Sequence, residues 1–314
     1  MSTPGRVLGS AKSGWISSSA VKVGVGIPEQ TIGFDPAVVA DFAVTAEELG
    51  FDYLTCVDHV LGTEHADRNP PFPAEGIYTE NSIFHEPLTL FAFLAARTRR
   101  IELVTAVLVL PQRQTALVAK QAAEIALLSG HRLRLGVGTG WNYIEYESLG
   151  TDFATRGRRQ EEQVELMRQL WSEPLLRIDT DFHRIERAGL NPRLDQPVPI
   201  WFGGFSKVQQ DRCARIGDGM LWGRNSSLSR EGNRFIRERA AEVGRDPDSI
   251  GFQASVIARD GDSLEHAIQA WGEAGGTHAT VSAGLAGKQG RALIDALPAL
   301  RDAVGDAIEG GRHR

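Results

Sequence analysis

The sequence predicts an α/β fold: a closed (βα)8 barrel, the TIM barrel. Short apolar runs typical of buried strands alternate with segments of helical periodicity, and this alternation occurs eight times within 314 residues. Strict alternation predicts a parallel sheet, and eight units in a chain of this length predict that the sheet closes. A doubly wound open sheet is the alternative, but the strands are evenly spaced and no switch point interrupts their order.

The first βα unit shows the signals that bound each element. Residues 21–27 (VKVGVGI) form an apolar run, which predicts the first strand. Asp35 then stands at a helix cap, and Pro36 follows at the first helical position, which proline favours. The helix keeps an apolar face at helical spacing and ends at Gly50, and residues 53–57 form the second strand.

The later units repeat this pattern. The remaining predicted strands are 101–108, 133–137, 198–202, 219–222, 251–257 and 277–281. The remaining predicted helices are 86–97, 115–128, 153–171, 206–216, 229–243, 263–274 and 290–304. The predicted barrel domain therefore occupies residues 21–314.

Three segments depart from the βα rhythm. Residues 61–85 are polar and proline-rich, and a loop of this length within a compact domain usually serves function. Residues 172–198 lack helical periodicity, and LLRI and HRIER flank the turn-like DTDF, which predicts a β-hairpin insertion. Residues 1–20 are rich in serine, glycine and alanine, which predicts a flexible N-terminal arm.

Composition excludes several classes of protein. The net charge of −6 and the pI near 5.8 argue against a nucleic-acid partner. No apolar run approaches the length of a membrane span, and the N-terminus lacks the apolar segment of a secretory signal. Cys56 and Cys213 lie within apolar strand and helix patterns, as small buried residues do in a reducing compartment. We therefore expect a cytoplasmic protein without a membrane partner.

Barrel enzymes place their chemistry at the carboxyl ends of the strands. The second strand ends in CVDH, which brings Asp58 and His59 to this face. A metal-dependent hydrolase is not expected because the first strand carries no H-x-H pair, and we predict no metal site. No lysine stands at a strand end for Schiff-base chemistry, and the nucleophile motif G-x-S-x-G is absent.

Two neighbouring strands end in glycine-rich loops. LRLGVGTGWN, residues 133–142, lacks the third glycine of a dinucleotide fingerprint because position 141 is Trp141. FGGFS precedes the helix that starts near Ser206, and a helix N-terminus with exposed N–H groups favours an anion. The two loops together predict a cofactor that carries phosphate, while tight turns without a ligand are the alternative.

The chain resembles the luciferase-like monooxygenase superfamily, in its deazaflavin-dependent branch. The matching segments follow one another in order and at family spacing between residues 22 and 225. They are AEELGFDYLTCVDHV, EPLTLFAFLAARTRRIELVTAVLVLPQR, KQAAEIALLSGHRLRLGVGTGWN, GRRQEEQVELMRQLWSE, PIWFGGFS and RIGDGMLW.

The resemblance implies a flavin or deazaflavin ring against the ends of strands 2–4, with His59 as the catalytic residue that faces the reactive carbon. It also implies a bulge in strand 3 with a non-prolyl cis peptide at Ala106–Val107. The implied cofactor contacts are Asp58, Thr105, Ala106, Val107, Gly138, Thr139, Gly140, Gly203, Gly204 and Phe205, with the phosphate on Thr139, Gly140, Gly203 and Gly204.

The chain departs from the sugar-phosphate dehydrogenases of this family at three places. Trp141 replaces the acidic residue after the glycine loop, VLGT replaces a segment with tryptophan after the Asp–His pair, and WGRNSS lacks the lysine that binds substrate phosphate. Oxidation of glucose 6-phosphate is therefore not expected. Trp141 and Trp222 instead predict a substrate pocket for a flatter, more apolar molecule.

Three functions follow from the resemblance. We expect a coenzyme F420-dependent oxidoreductase that transfers a hydride to or from a small organic substrate. The alternatives are an FMN-dependent monooxygenase that uses reduced flavin and oxygen, and a flavin-binding protein without activity, against which Asp58 and His59 argue. Arg156, Arg158 and Arg159 are candidates to line an exit for the anionic tail of coenzyme F420. Family members are commonly homodimers, and we expect the same here.

Overall fold

The protein is seen in a computed structural model, which describes residues 21–64, 78–258, 261–282 and 284–307. The predicted flexible arm over residues 1–20 lies outside this part of the chain. The strands are β1 Lys22–Gly26, β2 Tyr53–Cys56, β3 Glu102–Thr105, β4 Leu108–Val109, β5 Leu133–Gly138, β6 Leu176–Asp179, β7 Arg184–Ala188, β8 Ile200–Gly203, β9 Gly219–Trp222, β10 Gly251–Ser255 and β11 His278–Val281.

The helices lie between these strands. They are α1 Glu29–Ile32, α2 Pro36–Glu48, α3 Pro87–Arg97, α4 Thr115–Ser129, α5 Tyr143–Ser148, α6 Arg156–Ser172, α7 Lys207–Ile216, α8 Ser227–Glu242, α9 Leu264–Glu273 and α10 Arg291–Val304. In the described part of the chain, every helix is too short or too polar to span a bilayer.

The predicted closed parallel barrel is confirmed. Neighbouring strands follow the order β3-β2-β1-β11-β10-β9-β8-β5, and the pairing of β3 with β5 closes the ring. Each of these pairings is parallel, so all the strands present their carboxyl ends at the same mouth. Functional side chains at strand ends are thereby gathered around one opening.

The third barrel strand is interrupted, where the sequence predicted one run over residues 101–108. The chain pairs as β3, leaves the ladder at Ala106–Val107 and returns as β4, which pairs with β5. The Ala106–Val107 peptide bond is cis, which confirms the prediction drawn from the family resemblance. The interruption points the bulge toward the mouth of the barrel, where it can border a ligand.

Local signals explain the confirmed helices. Asp35 accepts a hydrogen bond from the backbone N–H of Ala37 at the start of α2, and Pro36 occupies the first helical position. Glu86 caps α3 in the same way through the N–H of Thr89. The predicted helix over residues 153–171 begins as a short 3-10 turn, and α6 proper starts at Arg156.

The predicted hairpin insertion is also confirmed, as β6 and β7 pair antiparallel. Its turn packs on the barrel through His183, whose ring nitrogens contact Glu162 of α6 and Thr115 of α4. Phe182 lies under the guanidinium groups of Arg158 and Arg159. The hairpin is therefore clamped to two helices of the outer ring.

The amino-terminal end of the barrel interior is filled by Arg134 and its partners. The guanidinium carbon of Arg134 lies 4.2 Å from the ring centroid of Trp201 and 5.0 Å from that of Tyr53. Its Nη1 donates to Gln253 at 3.0 Å, and its Nη2 lies 3.4 Å from a carboxylate oxygen of Glu102. These contacts offset the free-energy cost of burying the Arg134 guanidinium away from water.

Candidate active site

A cavity of about 600 Å³ opens between the carboxyl ends of the strands. Most of the predicted site residues border it. They are Asp58, His59, Ala106, Val107, Gly138, Thr139, Gly140, Trp141, Gly203, Gly204, Phe205 and Trp222. The structure therefore brings residues from five strand ends to one space.

Thr105 is a predicted contact that does not border this cavity. It is fully buried, and its hydroxyl donates a hydrogen bond to the carbonyl of Gly136 at 2.7 Å. Its side chain thus points toward β5 rather than the opening. The predicted contact of Thr105 with the cofactor stays a prediction, while its side chain holds two neighbouring strands together beneath the bulge.

The glycines of the two loops are explained partly by the bulge. A Cβ atom on Gly138 or on Gly203 would collide with the side chain of Val107, so both positions must be small. Gly140 and Gly204 have φ angles of +63° and +134°, which favour glycine. Two of the four glycines therefore make room for Val107, and the other two shape the loops that we predicted to hold phosphate.

The second glycine loop leads into α7. Ser206 caps this helix by accepting a hydrogen bond from the backbone N–H of Gln209. The positive end of the helix dipole therefore lies beside Gly203, Gly204 and Phe205 at the cavity. This arrangement suits an anionic group such as a phosphate.

Asp58 is occupied by protein partners. Its carboxylate accepts hydrogen bonds from the backbone N–H of Val109 at 2.9 Å and from Arg113 at 2.6 and 3.1 Å. Burial raises the pKa of Asp58 above its ordinary value, although Arg113 and the Val109 N–H oppose that effect. The side chain has no exposed surface, so the residue borders the cavity through its backbone and fixes β4 against the end of β2.

His59 stands at the edge of the cavity with 15% of its side chain exposed. Its ring centroid lies 4.4 Å from that of Tyr78, 4.8 Å from that of Phe84 and 5.4 Å from that of Trp141. Its Nδ1 makes no hydrogen bond within the described structure and lies 3.7 Å from Glu145 Oε1. An imidazole in this position can hold or release a proton next to the opening.

Glu145 is a site residue that the sequence analysis missed. It is buried on α5, and its Oε1 accepts hydrogen bonds from the backbone N–H groups of Val60 at 2.6 Å and Leu61 at 3.0 Å. The carboxylate thus shapes the chain directly after His59. Because α5 has only six residues, it carries no helical periodicity, but Asn142 followed by Glu145 matches a helix-start pattern that would have indicated it.

Glu29 is the second missed residue. It is buried on α1, just after β1, and accepts hydrogen bonds from Cys56 Sγ at 2.7 Å and from the backbone N–H of Val57 at 3.1 Å. Burial raises the pKa of Glu29 to about 7, and the two hydrogen bonds oppose that effect. The signal in the sequence was the glutamate of GIPEQ, directly after the first strand. A charged side chain is rarely buried at such a position unless it has a partner or a function.

A second cavity of about 350 Å³ adjoins the first. Glu29, Val57 and His59 border both cavities. Tyr78 and Phe84 line only the smaller cavity. Glu29, which the sequence analysis missed, and His59, which it predicted, therefore both lie at the boundary between the two cavities.

The predicted tryptophans have different environments. Trp141 packs near His59 and Tyr78, with ring centroids 5.4 Å from each. Trp222 is almost fully buried, and its indole N–H donates to Asn233 at 2.8 Å. Trp141 is thus part of the wall around His59, while Trp222 borders the larger cavity from a fixed, packed position.

The predicted arginines gather at the start of α6 and border neither cavity. Arg156 lies 3.8 Å over the ring of Phe153, and Arg158 forms an exposed ion pair with Asp181 at 3.5 Å. Their predicted contact with a cofactor tail stays a prediction.

A barrel with a split third strand, glycine loops on neighbouring strands and a histidine beside a cavity presents a candidate active site at the strand ends, where TIM-barrel enzymes carry theirs. The family model for luciferase-like monooxygenases matches residues 12–307. The chain therefore belongs to the luciferase-like monooxygenase family.

Named relatives in this family use different cofactors. An F420-dependent glucose-6-phosphate dehydrogenase of Kineococcus radiotolerans is 32% identical over 60% of this chain and 52% of its own length. An FMNH(2)-dependent dimethylsulfone monooxygenase of Pseudomonas putida is 29% identical over 82% of this chain and 68% of its own.

A solved structure shows the same fold. The coenzyme F420-dependent tetrahydromethanopterin reductase of Methanopyrus kandleri superposes with a TM-score of 0.72 at 16% identity. The likeness covers 92% of this chain and 100% of the reductase.

Proposed function

We propose that this protein is a coenzyme F420-dependent oxidoreductase that transfers a hydride between the deazaflavin and a small organic substrate. The proposal rests on the observation that His59 and Glu29 line both of two adjoining cavities. One space suits a flat cofactor, the other suits a substrate, and His59 and Glu29 stand between them.

The larger cavity fits the cofactor in shape and chemistry. Ala106, Val107 and Leu221 give it apolar surface, as a flat ring system requires. The glycine loops and the start of α7 lie at another part of the same cavity, where a phosphate group would find N–H donors and a favourable dipole. We assign the phosphate to Thr139, Gly140, Gly203 and Gly204.

When bound, coenzyme F420 supplies a ring carbon that accepts or donates a hydride. Oxidation of an alcohol to a ketone releases one hydride from carbon and one proton from oxygen, and reduction requires both in reverse. His59 accepts that proton in oxidation or returns it in reduction. Tyr78, Phe84 and Trp141 pack around its ring and hold it in position.

FMN-dependent monooxygenation is the second candidate, because the Pseudomonas relative covers 82% of this chain. We favour coenzyme F420 because Asp58, His59 and the TAVLVLPQR and GVGTGW segments resemble the deazaflavin branch. A deazaflavin carries carbon at the position of the reactive flavin nitrogen and reacts poorly with oxygen. The two candidates therefore differ in whether turnover consumes oxygen.

Parallel fluorescence-quenching titrations with coenzyme F420 and FMN test the proposal. We expect micromolar binding of coenzyme F420 and binding of FMN at least tenfold weaker. Micromolar binding of FMN without detectable binding of coenzyme F420 would overturn the cofactor assignment.

Two alanine variants test the assigned loop. Gly204→Ala and Gly130→Ala both place a side chain at positive φ, with angles of +134° and +71°, and neither creates a collision. Both lose stability through backbone strain, but Gly130 ends α4 on the outer ring. Only Gly204→Ala should weaken cofactor binding, and equal binding by both variants would contradict the assignment.

A further inference from the structure

We propose that the smaller cavity is the binding chamber for an uncharged organic substrate, whose oxygen atom lies against Glu29 and His59. The proposal deepens the proposed function and rests on it for the reaction, but the chamber can be tested without any cofactor. Three features of the described residues support it: the walls, the charge and the placement of Glu29.

The chamber walls are largely apolar and held in place. Pro28, Val57, Tyr78 and Phe84 supply apolar or aromatic surface. Tyr78 is buried, and its hydroxyl accepts a hydrogen bond from Asn142 Nδ2 at 2.8 Å. Its ring lies 5.2 Å from that of Phe84 in an edge-on arrangement. A volume of about 350 Å³ with such walls suits a small ring or short branched chain.

The charge around the smaller cavity opposes an anion. Among the described residues that border it, the charged types are Glu29 and His59, and none is lysine or arginine. The nearby Arg113 is already paired with Asp58 and Glu86. A carboxylate or phosphate in the smaller cavity would therefore be buried beside Glu29 without a lysine or arginine partner among the bordering residues, which is costly.

The acidic groups of the smaller cavity and of its larger neighbour are also poor partners for a cation. Asp58 is paired with Arg113, and Glu145 accepts two backbone N–H groups. Glu29 carries its proton for much of the time near neutral pH, because burial raises its pKa to about 7. It faces the Cys56 thiol and lies near Asp58 and His59, and in its protonated form it can donate a hydrogen bond to an oxygen atom in the chamber.

Three probes with the same six-membered ring test the charge preference. Cyclohexanone, cyclohexanecarboxylate and cyclohexylammonium are titrated into the cofactor-free protein and followed by saturation-transfer NMR. We expect cyclohexanone to bind at least tenfold more tightly than either charged probe. Equal or tighter binding of the carboxylate or the ammonium ion would overturn the proposal, as would the absence of saturable cyclohexanone binding.

Matched tryptophan variants test the location. Phe84→Trp fills the chamber, whereas Phe93→Trp makes the same change at a partly exposed position of α3. We expect Phe84→Trp to weaken cyclohexanone binding at least tenfold and Phe93→Trp to leave it within twofold. Thr31→Phe obstructs the chamber from α1 and keeps the test decisive should Phe84→Trp fail to fold. Wild-type binding by a folded obstructed variant would overturn the location.

The cofactor titration separates the two proposals. Cyclohexanone binding without binding of coenzyme F420 or FMN would retain the chamber and reject the proposed function. Binding of coenzyme F420 without binding of cyclohexanone would retain the proposed function and reject the chamber.

Discussion

The two ends of the barrel interior both bury ionisable groups, but they use them differently. At the amino-terminal end, Arg134 lies between the rings of Trp201 and Tyr53, and burial lowers the pKa of the neighbouring His278 well below its ordinary value. At the carboxyl-terminal end, Glu29 and His59 face open cavities, and burial raises the pKa of Glu29 to about 7.

The difference shows what marks a reactive site in this protein. A displaced pKa occurs at both ends, so it does not by itself distinguish chemistry from packing. Only at the carboxyl-terminal end do the titratable groups border space for ligands among the described residues of these two clusters. We therefore expect changes at that end to affect turnover and changes at the other end to affect stability.

The largest expected effect is on turnover and comes from His59→Ala. Loss of a positioned acid or base lowers turnover by about 10²–10⁴-fold. Cofactor binding and the urea midpoint should stay near wild type, since His59 is partly exposed and its Nδ1 makes no hydrogen bond within the described structure. His266→Ala, an exposed histidine on α9, is the control. Turnover of His59→Ala within threefold of wild type would remove the catalytic role.

At the opposite end, Arg134→Met should reduce the free energy of unfolding by about 3–5 kcal/mol. The change leaves Gln253 Oε1 and one carboxylate oxygen of Glu102 without their partner. Urea unfolding measures the loss, and Arg158→Met, at an exposed ion pair, should lose at most about 1 kcal/mol. If Arg134→Met were as stable as wild type but defective in cofactor binding, the amino-terminal end would serve function rather than stability, contrary to our expectation.

Glu29→Gln should remove a pH dependence of stability. The proton on Glu29 is bound more tightly in the folded chain, because burial raises its pKa from 4.5 to about 7. Its contribution is fully present below the unfolded pKa and is lost as the pH rises through 7. Wild type should lose about 3 kcal/mol relative to Glu29→Gln across this interval. Urea unfolding of both proteins from about pH 4 to about pH 8 checks this, and parallel stability profiles would show that Glu29 titrates normally.

The smallest expected effect comes from Glu145→Gln, which keeps an acceptor for the Val60 and Leu61 N–H groups but removes the charge near His59. Turnover should fall about tenfold, equivalent to about 1.4 kcal/mol, with KM within twofold. Glu145→Asp should restore part of the rate. A change confined to KM would instead assign Glu145 to substrate binding.

The sequence predicts features that repeat or that carry a distinctive local pattern. The eight βα units, the β6–β7 hairpin and, through the family resemblance, the cis peptide at Ala106–Val107 are confirmed. The positions of Asp58 and His59 at the mouth follow from the end of β2.

Other features depend on contacts between distant segments. Helices α1 and α5 are shorter than the span over which helical periodicity is visible, so Glu29 and Glu145 were missed. The position of Thr105 in the chain likewise does not reveal that its hydroxyl donates to the Gly136 carbonyl. Arg134 lies in an apolar strand pattern, and its partners come from four other strands.

The packing around Val107 has a consequence for the divergence of this protein. Gly138 on β5 and Gly203 on β8 each leave room for one methyl group of Val107. A larger residue at either glycine is compatible with the present backbone only if position 107 becomes smaller. Positions 107, 138 and 203, which lie in the bulge after β3, on β5 and on β8, are therefore expected to covary among homologues, and a chimera of distant homologues should take all three from one parent.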